Sequence, residues 1–300
     1  MSLTRLNGID PGRIGLFAGP LNSQPAETQR EFVREMERLG YGTLWYGESL
    51  AQEAFARGAI YLASTERLIV ASGIANIWAR DAAAMANGGR TLAEAWPGRF
   101  ILGIGVSHAP IVRMRGHDYE KPYSAMREYL DAMASAPWRG AEAELPPVVL
   151  AALGPKMVGL ARDHAAGAYP YFSTAEHIRE VRSILGPEPF LAADLPVVLA
   201  GDLAAARAIG DRHLAFYLGS ANYRNNLLRI GWSEDDLQPP GSDALFDAIV
   251  AWGDLGRVGG KVRERLEAGA DQVVLNIVAA DPSAVPLPEL RQLAPLTSGS

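Results

Sequence analysis

Among the side chains able to move protons or bind charge, two follow glycine-marked apolar runs: His108, in Gly103-Ile-Gly105-Val-Ser-His108, and Glu48, in Trp45-Tyr-Gly-Glu48. An imidazole titrates near neutrality, so His108 can exchange a proton with a substrate oxygen. The same histidine can equally be a structural loop residue. Glu48 is the second ionisable candidate. Gly154-Pro155-Lys156-Met157 reads as the opening of a helix, whose free N–H groups and positive dipole end can hold a phosphate, with Lys156 adding charge. It reads equally as a plain turn with Pro155 at the first helical position. Ser173 and Thr174 head another helix and can either cap it or bond a phosphate, capping being the simpler use. Other chemistries lack their residues. The chain has no cysteine, which removes disulfides, thiolate metal sites and cysteine nucleophiles. Gly105-Val-Ser-His-Ala109 is not Gly-x-Ser-x-Gly, so a hydrolase built on Ser107 would need its base and acid from elsewhere. His-Glu-x-x-His is absent and the histidines at 108, 117, 164, 177 and 213 lack ligand spacing, so no metal is expected.

Such scattered groups need a scaffold that gathers them. Continuous apolar runs at 13–18, 43–47, 68–74, 100–106, 148–152, 167–171, 197–200 and 272–278 read as strands buried on both faces of a parallel sheet. Helical patterns separate them, as at 53–64, 82–95 and 156–165. Eight strands with crossover helices predict a closed (β/α)8 TIM barrel, a fold that typically uses about 250 residues in one domain, here 1–300. An open doubly wound sheet is the alternative, weakened because Gly103-Ile-Gly105 matches only half of a Gly-x-Gly-x-x-Gly fingerprint. Residues 202–270 are too long for one crossover. Helical segments at 203–218, 223–230, 243–252 and 257–268 predict extra helices inserted between strands seven and eight. In such a barrel the reacting groups sit at the C-terminal ends of the strands, the rule that selects Glu48, Gly73, Ser107, His108, Gly154, Ser173, Thr174 and Asn276.

The charge balance excludes some partners. Against 28 basic residues stand 34 acidic ones, and the net charge of −6 argues against nucleic acid and anionic membranes. Arg5, Asn7, Gly8, Asp10 and Pro11 interrupt any apolar run of signal-peptide or membrane-helix length, so a soluble, cytoplasmic protein with no membrane partner is expected. Residues 108–127 carry Arg113, Arg115, Lys121 and Arg127 against Asp118 and Glu120, a local basic excess that reads as a solvated loop or as a cover attracting an anionic ligand. Trp45, Trp78 and Trp252 read as packing groups.

Four segments carry a resemblance: Thr43-Leu-Trp-Tyr-Gly-Glu-Ser49, Ala71-Ser-Gly-Ile-Ala-Asn76, Pro97-Gly-Arg-Phe-Ile-Leu-Gly-Ile-Gly-Val-Ser-His108 and Ala151-Ala-Leu-Gly-Pro-Lys-Met157. In order and spacing they resemble the bacterial-luciferase-like superfamily. Residues 207–226, with Asn222-Tyr-Arg-Asn-Asn226, are similar to its coenzyme F420-dependent branch in actinobacteria. The resemblance implies an oxidoreductase holding a flavin-type cofactor, F420 in preference to FMN, that transfers a hydride to or from a small organic substrate, and it implies a homodimer. It also implies a non-prolyl cis peptide at Gly73–Ile74 supporting the ring. Ala75, Gly105, Ser107 and Ala152 would line the ring, while Gly154, Pro155, Lys156, Met157, Ser173 and Thr174 would lie toward the phosphate. His108 stands where related dehydrogenases carry an acidic proton donor. Several family members place a histidine where this chain has Ser49, which shifts weight onto His108. An FMN-dependent monooxygenase and a catalytically silent cofactor-binding homologue are the alternatives.

Overall fold

The computed structural model describes residues 6–48, 50 and 52–297; Arg5 and Ser49 lie outside the described residues. Its strands are β1 (Ile14–Phe17), β2 (Thr43–Tyr46), β3 (Ile69–Ser72), β4 (Ala75–Asn76), β5 (Phe100–Gly105), β6 (Val148–Leu150), β7 (Gly167–Ala168), β8 (Phe190–Leu199), β9 (Ala251–Gly253) and β10 (Gln272–Ile277). Parallel pairing runs β1, β2, β3, β5, β6, β7, β8, β10, and β10 pairs back onto β1. The eight-stranded barrel is thereby closed, as the alternation of buried strands and helical segments predicted. β4 continues the third barrel strand beyond a bend and pairs with β5. β9 is an additional strand lying against the end of β8.

The helices are α1 (Ala26–Arg38), α2 (Ala54–Ala63), α3 (Ala82–Ala95), α4 (Ala109–Met114), α5 (Pro122–Ala134), α6 (Pro155–His164), α7 (Ala175–Leu185), α8 (Leu203–Leu218), α9 (Ala221–Arg229), α10 (Asp243–Ile249), α11 (Leu255–Glu267) and α12 (Leu287–Leu293). Side-chain caps set many of their starts. Glu53, Asp81, Asp202, Ser242 and Asp254 each accept the amide three residues on, satisfying one of the donors a helix leaves free. α1 turns Phe32, Val33 and Met36 inward, on one apolar face of the helix.

Two expectations are corrected in the last third of the chain. The seventh barrel strand is Phe190–Leu199 rather than 197–200, because Asp194 and Pro196 break the apolar run that marks a buried strand. The helix expected at 243–252 ends at Ile249, where Val250 turns extended and leads into β9. Between β8 and β10 lie α8, α9, α10 and α11, so the insertion stands where it was expected.

The core has three parts. One lies between sheet and helices, one fills the barrel around Trp45, Ile101, Val149 and Tyr169, and one packs α8, α9 and α10 around Phe172, Leu214 and Phe246. The N-terminal end of the barrel is closed by a polar plug. Gln272 Nε2 donates to the carbonyls of Pro11 (2.7 Å) and Gly12 (3.0 Å), and its Oε1 accepts from Trp45 Nε1 at 2.8 Å.

Candidate active site

The C-terminal ends of β3, β4, β5 and β6 bring most of the expected residues to one side of the barrel mouth. The Gly73–Ile74 peptide is cis, at the bond that the resemblance implied. Gly73 N donates to Tyr46 O (2.6 Å), Glu48 N donates to Ile74 O (3.0 Å), and buried Ala75 pairs with Ile104. Beneath the bend Trp45 and Tyr169 pack with ring centroids 4.7 Å apart and planes tilted by 48°, and a Cβ at Gly73 would meet them at 3.1 and 3.2 Å. Two glycines of β5 are dictated by close approach. A Cβ at Gly103 would lie 1.8 Å from Ser72 O, and one at Gly105 would lie 2.9 Å from Ile74 Cγ1 and 3.1 Å from Ala151 Cβ. Ser107 then takes a positive φ of 58°, and His108 precedes α4 as its N-cap residue.

His108 is half-buried, has the Asn222 side chain beside it and lies 5.6 Å, centroid to centroid, from Tyr223. Burial lowers its pKa below the usual imidazole value, and the Asn222 side chain works the other way. Both neighbours belong to α9, so the insertion supplies a wall of the site. Glu48 is differently placed. Its carboxylate accepts from Ala54 N (3.2 Å) and Asn76 N (2.8 Å), and it forms a bidentate pair with Arg80, whose Nη1 reaches Oε2 at 2.9 Å. Arg80 also reaches Glu53 at 2.7 Å. These four donors tie the loop after β2 to the end of the third barrel strand and occupy both oxygens of Glu48.

Gly154 is the N-cap residue of α6, and a Cβ there would meet nothing within 4 Å. Pro155 and Lys156 are exposed, Met157 is half-buried and Ala152 is buried. Thr174 caps α7 through the His177 amide at 3.3 Å, as the simpler reading predicted. Ser173 Oγ is fully buried and has no partner among the described residues. His177, which the sequence reading passed over, bonds Leu153 O through Nε2 at 2.8 Å and faces Asn226. It thereby ties the loop after β6 to α7 and to the insertion. Burial is the main cause lowering its pKa. Arg265 of α11 reaches Ser173 O (3.1 Å) and Ala248 O (2.6 Å), and its Nε and Nη1 have no partner among the described residues.

Across the mouth, a cavity of about 350 Å³ lies between the ends of β1 and β10 and helix α8, lined among others by Phe17, Tyr171, Phe216, Tyr217 and Asn276. Phe17 connects it to the cis bend, since a Cβ at Gly47 would lie 3.5 Å from both Phe17 Cζ and Gly73 O. Below the cavity sits Asp194, fully buried in β8, which accepts from Phe172 N (3.3 Å) and Asn276 Nδ2 (3.5 Å). Burial pushes its pKa up to about 7 despite those two donors. Asp194 was legible only as a lone acid inside an apolar stretch. Of the expected residues, Lys156 points to solvent and Asn276 faces this cavity instead of the bend.

Residues 12–272 match the family model described as luciferase-like monooxygenase. The chain belongs to the luciferase-like monooxygenase family. It is 25% identical to a Mycobacterium tuberculosis (strain ATCC 25618 / H37Rv) protein named for a proposed coenzyme F420-dependent oxidoreductase activity, over 90% of this chain and 96% of that one. Among solved structures, an F420-dependent secondary alcohol dehydrogenase in complex with an F420–acetone adduct superposes with a TM-score of 0.75 at 14% identity, covering 96% of this chain and 98% of the other. The oxygenating constituent of 3,6-diketocamphane monooxygenase from the CAM plasmid of Pseudomonas putida, in complex with FMN, gives 0.73 at 14% identity, over 97% and 98%. At such identities the superpositions establish the luciferase-like fold. Among the described residues no helix is long and apolar enough to cross a membrane, and no three His, Asp or Glu side chains are grouped to hold a metal ion.

Proposed function

We propose that this luciferase-like protein is a coenzyme F420-dependent oxidoreductase that transfers a hydride between the deazaflavin and a small organic substrate. The single observation that carries the reading is the N-terminus of α6, which no side chain caps, at the same barrel end as the buried Ser173 hydroxyl that has no partner among the described residues. The residues present fit such a cofactor. Gly105 lets Ile74 and Ala151 pack closely behind the bend over buried Ala75, while Gly154 and the Ser173 hydroxyl, unpartnered among the described residues, offer donors for a phosphate to which exposed Lys156 adds charge. Pro155 and Met157 shape that turn, and Ser107 and Ala152 flank the ring face. When bound, a deazaflavin supplies hydride transfer and handles oxygen poorly, which favours a dehydrogenase or reductase over a monooxygenase.

The chain's own groups divide the remaining work. A hydride reaching or leaving a substrate carbon must be matched by a proton at the attached oxygen. His108, kept neutral by burial near pH 7, takes or gives that proton. Glu48, engaged by Arg80 and two amides, holds the bend in place instead of exchanging protons itself. Exposed Arg113, Lys121 and Arg127 beside the mouth attract the cofactor's oligoglutamate tail. The full chain 1–300 works as one domain, and as a homodimer, which light scattering checks.

FMN is the second reading, favoured by the FMN-bound Pseudomonas putida structure of the same fold. A fluorescence titration of the purified protein separates the two. Saturable change with F420 and none with FMN is expected, and binding of FMN alone would overturn the F420 reading.

A further inference from the structure

Tyr171 and Tyr217 both line the 350 Å³ cavity, and their hydroxyls are bonded to each other at 3.0 Å. Tyr171 also accepts from Asn276 Nδ2 at 2.5 Å. Asp194 Oδ1 accepts from the same Asn276 Nδ2 at 3.5 Å. Two phenols that share one bond hold two hydrogens. Whichever donates to the other, one hydrogen is left, and no acceptor among the described residues takes it. Phe17, Phe216, Ile277, Val278 and Pro282 make up most of the remaining wall, with Ser23 and the His213 ring as its other uncharged polar groups. Arg212, on the rim, is exposed and bonds Ala279 O at 3.3 Å, so its charge lies outside the buried tyrosine pair.

We propose that the Tyr171–Tyr217 pair is the seat for the oxygen of a neutral, largely apolar carbonyl or alcohol substrate. The spare phenolic hydrogen donates to that oxygen, and Asn276 and Asp194 act as positioning residues for the pair. A buried site built to donate one hydrogen bond binds an oxygen-bearing ligand and rejects the isostere that lacks the oxygen. The substrate role rests on the oxidoreductase reading above; the donor pair and its selectivity do not.

The test uses acetophenone and its oxygen-free isostere α-methylstyrene, titrated by ligand-observed NMR on the full chain without F420 and then with it. Wild type is expected to bind acetophenone about tenfold more tightly than α-methylstyrene. Tyr217→Phe, which leaves the Tyr171 hydrogen in place, is expected to keep that preference. The double variant Tyr171→Phe/Tyr217→Phe is expected to lose it while retaining the volume of both rings. A double variant that keeps the preference overturns the proposal, as does a wild type that binds the two probes equally or binds neither. Should the double variant fail to fold, loss of the preference in Tyr217→Phe, whose Tyr171 hydrogen remains, overturns the proposal. A failure of F420 to bind would sink the oxidoreductase reading and leave this comparison intact.

Discussion

The two ends of the barrel interior handle buried polar groups in opposite ways. At the N-terminal end Gln272 has its amide hydrogens and its oxygen paired with Pro11, Gly12 and Trp45, and Thr43 Oγ1 donates to Pro11 O as well. Toward the C-terminal end the hydroxyls of Ser173 and Tyr169, Asn76 Nδ2, His213 Nε2 and two nitrogens of Arg265 are buried with no partner among the described residues. Each such group costs roughly 1–3 kcal/mol when left unpaired. A fold that saturates one end and leaves donors open at the other keeps that cost where the βα loops converge on a ligand. Closed polar clusters hold the barrel together, and open ones are completed by what binds.

The largest expected effect tests the open end through pH. Asp194 has its pKa raised from an ordinary value near 3.8 to about 7. Between those values the native state keeps a proton that the unfolded chain has lost. Its contribution to stability is therefore full below about pH 4 and falls as pH rises to 7, by on the order of 4 kcal/mol. Urea unfolding of Asp194→Asn at several pH values is expected to lack that decline. At the closed end, Gln272→Leu strands the Pro11 and Gly12 carbonyls and the Trp45 indole, and is expected to cost about 3 kcal/mol of unfolding free energy. It should leave the F420 dissociation constant of the folded protein unchanged. An equal loss of cofactor binding would erase the contrast between the two ends.

Smaller effects sharpen it. His108→Ala is expected to lower turnover about 10²-fold with little change in melting temperature, since its ring is half-buried and outside the packed core. Gly105→Ala pushes a methyl toward Ile74 and Ala151, and is expected to weaken F420 binding about tenfold in a fluorescence titration. Ser173→Ala removes a buried hydroxyl with no partner, so calorimetry should show a protein more stable by about 1 kcal/mol. The same variant should bind F420 less tightly. Opposite signs in stability and binding are what an open polar group predicts.

Much of the scaffold was legible because it follows from local rules. Buried apolar runs gave seven barrel strands near their observed places, and the long stretch after β8 announced its extra helices. The remaining one, β8, was mostly hidden, since Asp194 and Pro196 interrupt the pattern that marks a buried strand. Those residues depart from the rule where the barrel places a polar group under the cavity. The bend at Gly73 was accessible only through resemblance, because a single Ser-Gly-Ile carries no signal of its own. Thr174 was readable as a cap from its position before an apolar helix. The Glu48–Arg80 pair was not, since its partners are brought together across 32 positions by the pairing of β2 with β3. The pairing of Tyr171 with Tyr217 joins β7's end to the insertion and is likewise a property of the tertiary fold alone.

The most direct test is a crystal structure of the protein with F420 bound. The account predicts the ring against the Gly73–Ile74 bend beside Gly105, with the phosphate accepting from the Ser173 hydroxyl and the first amides of α6. A cofactor seated elsewhere, with Ser173 Oγ still unpaired or bonded only to water, would contradict it.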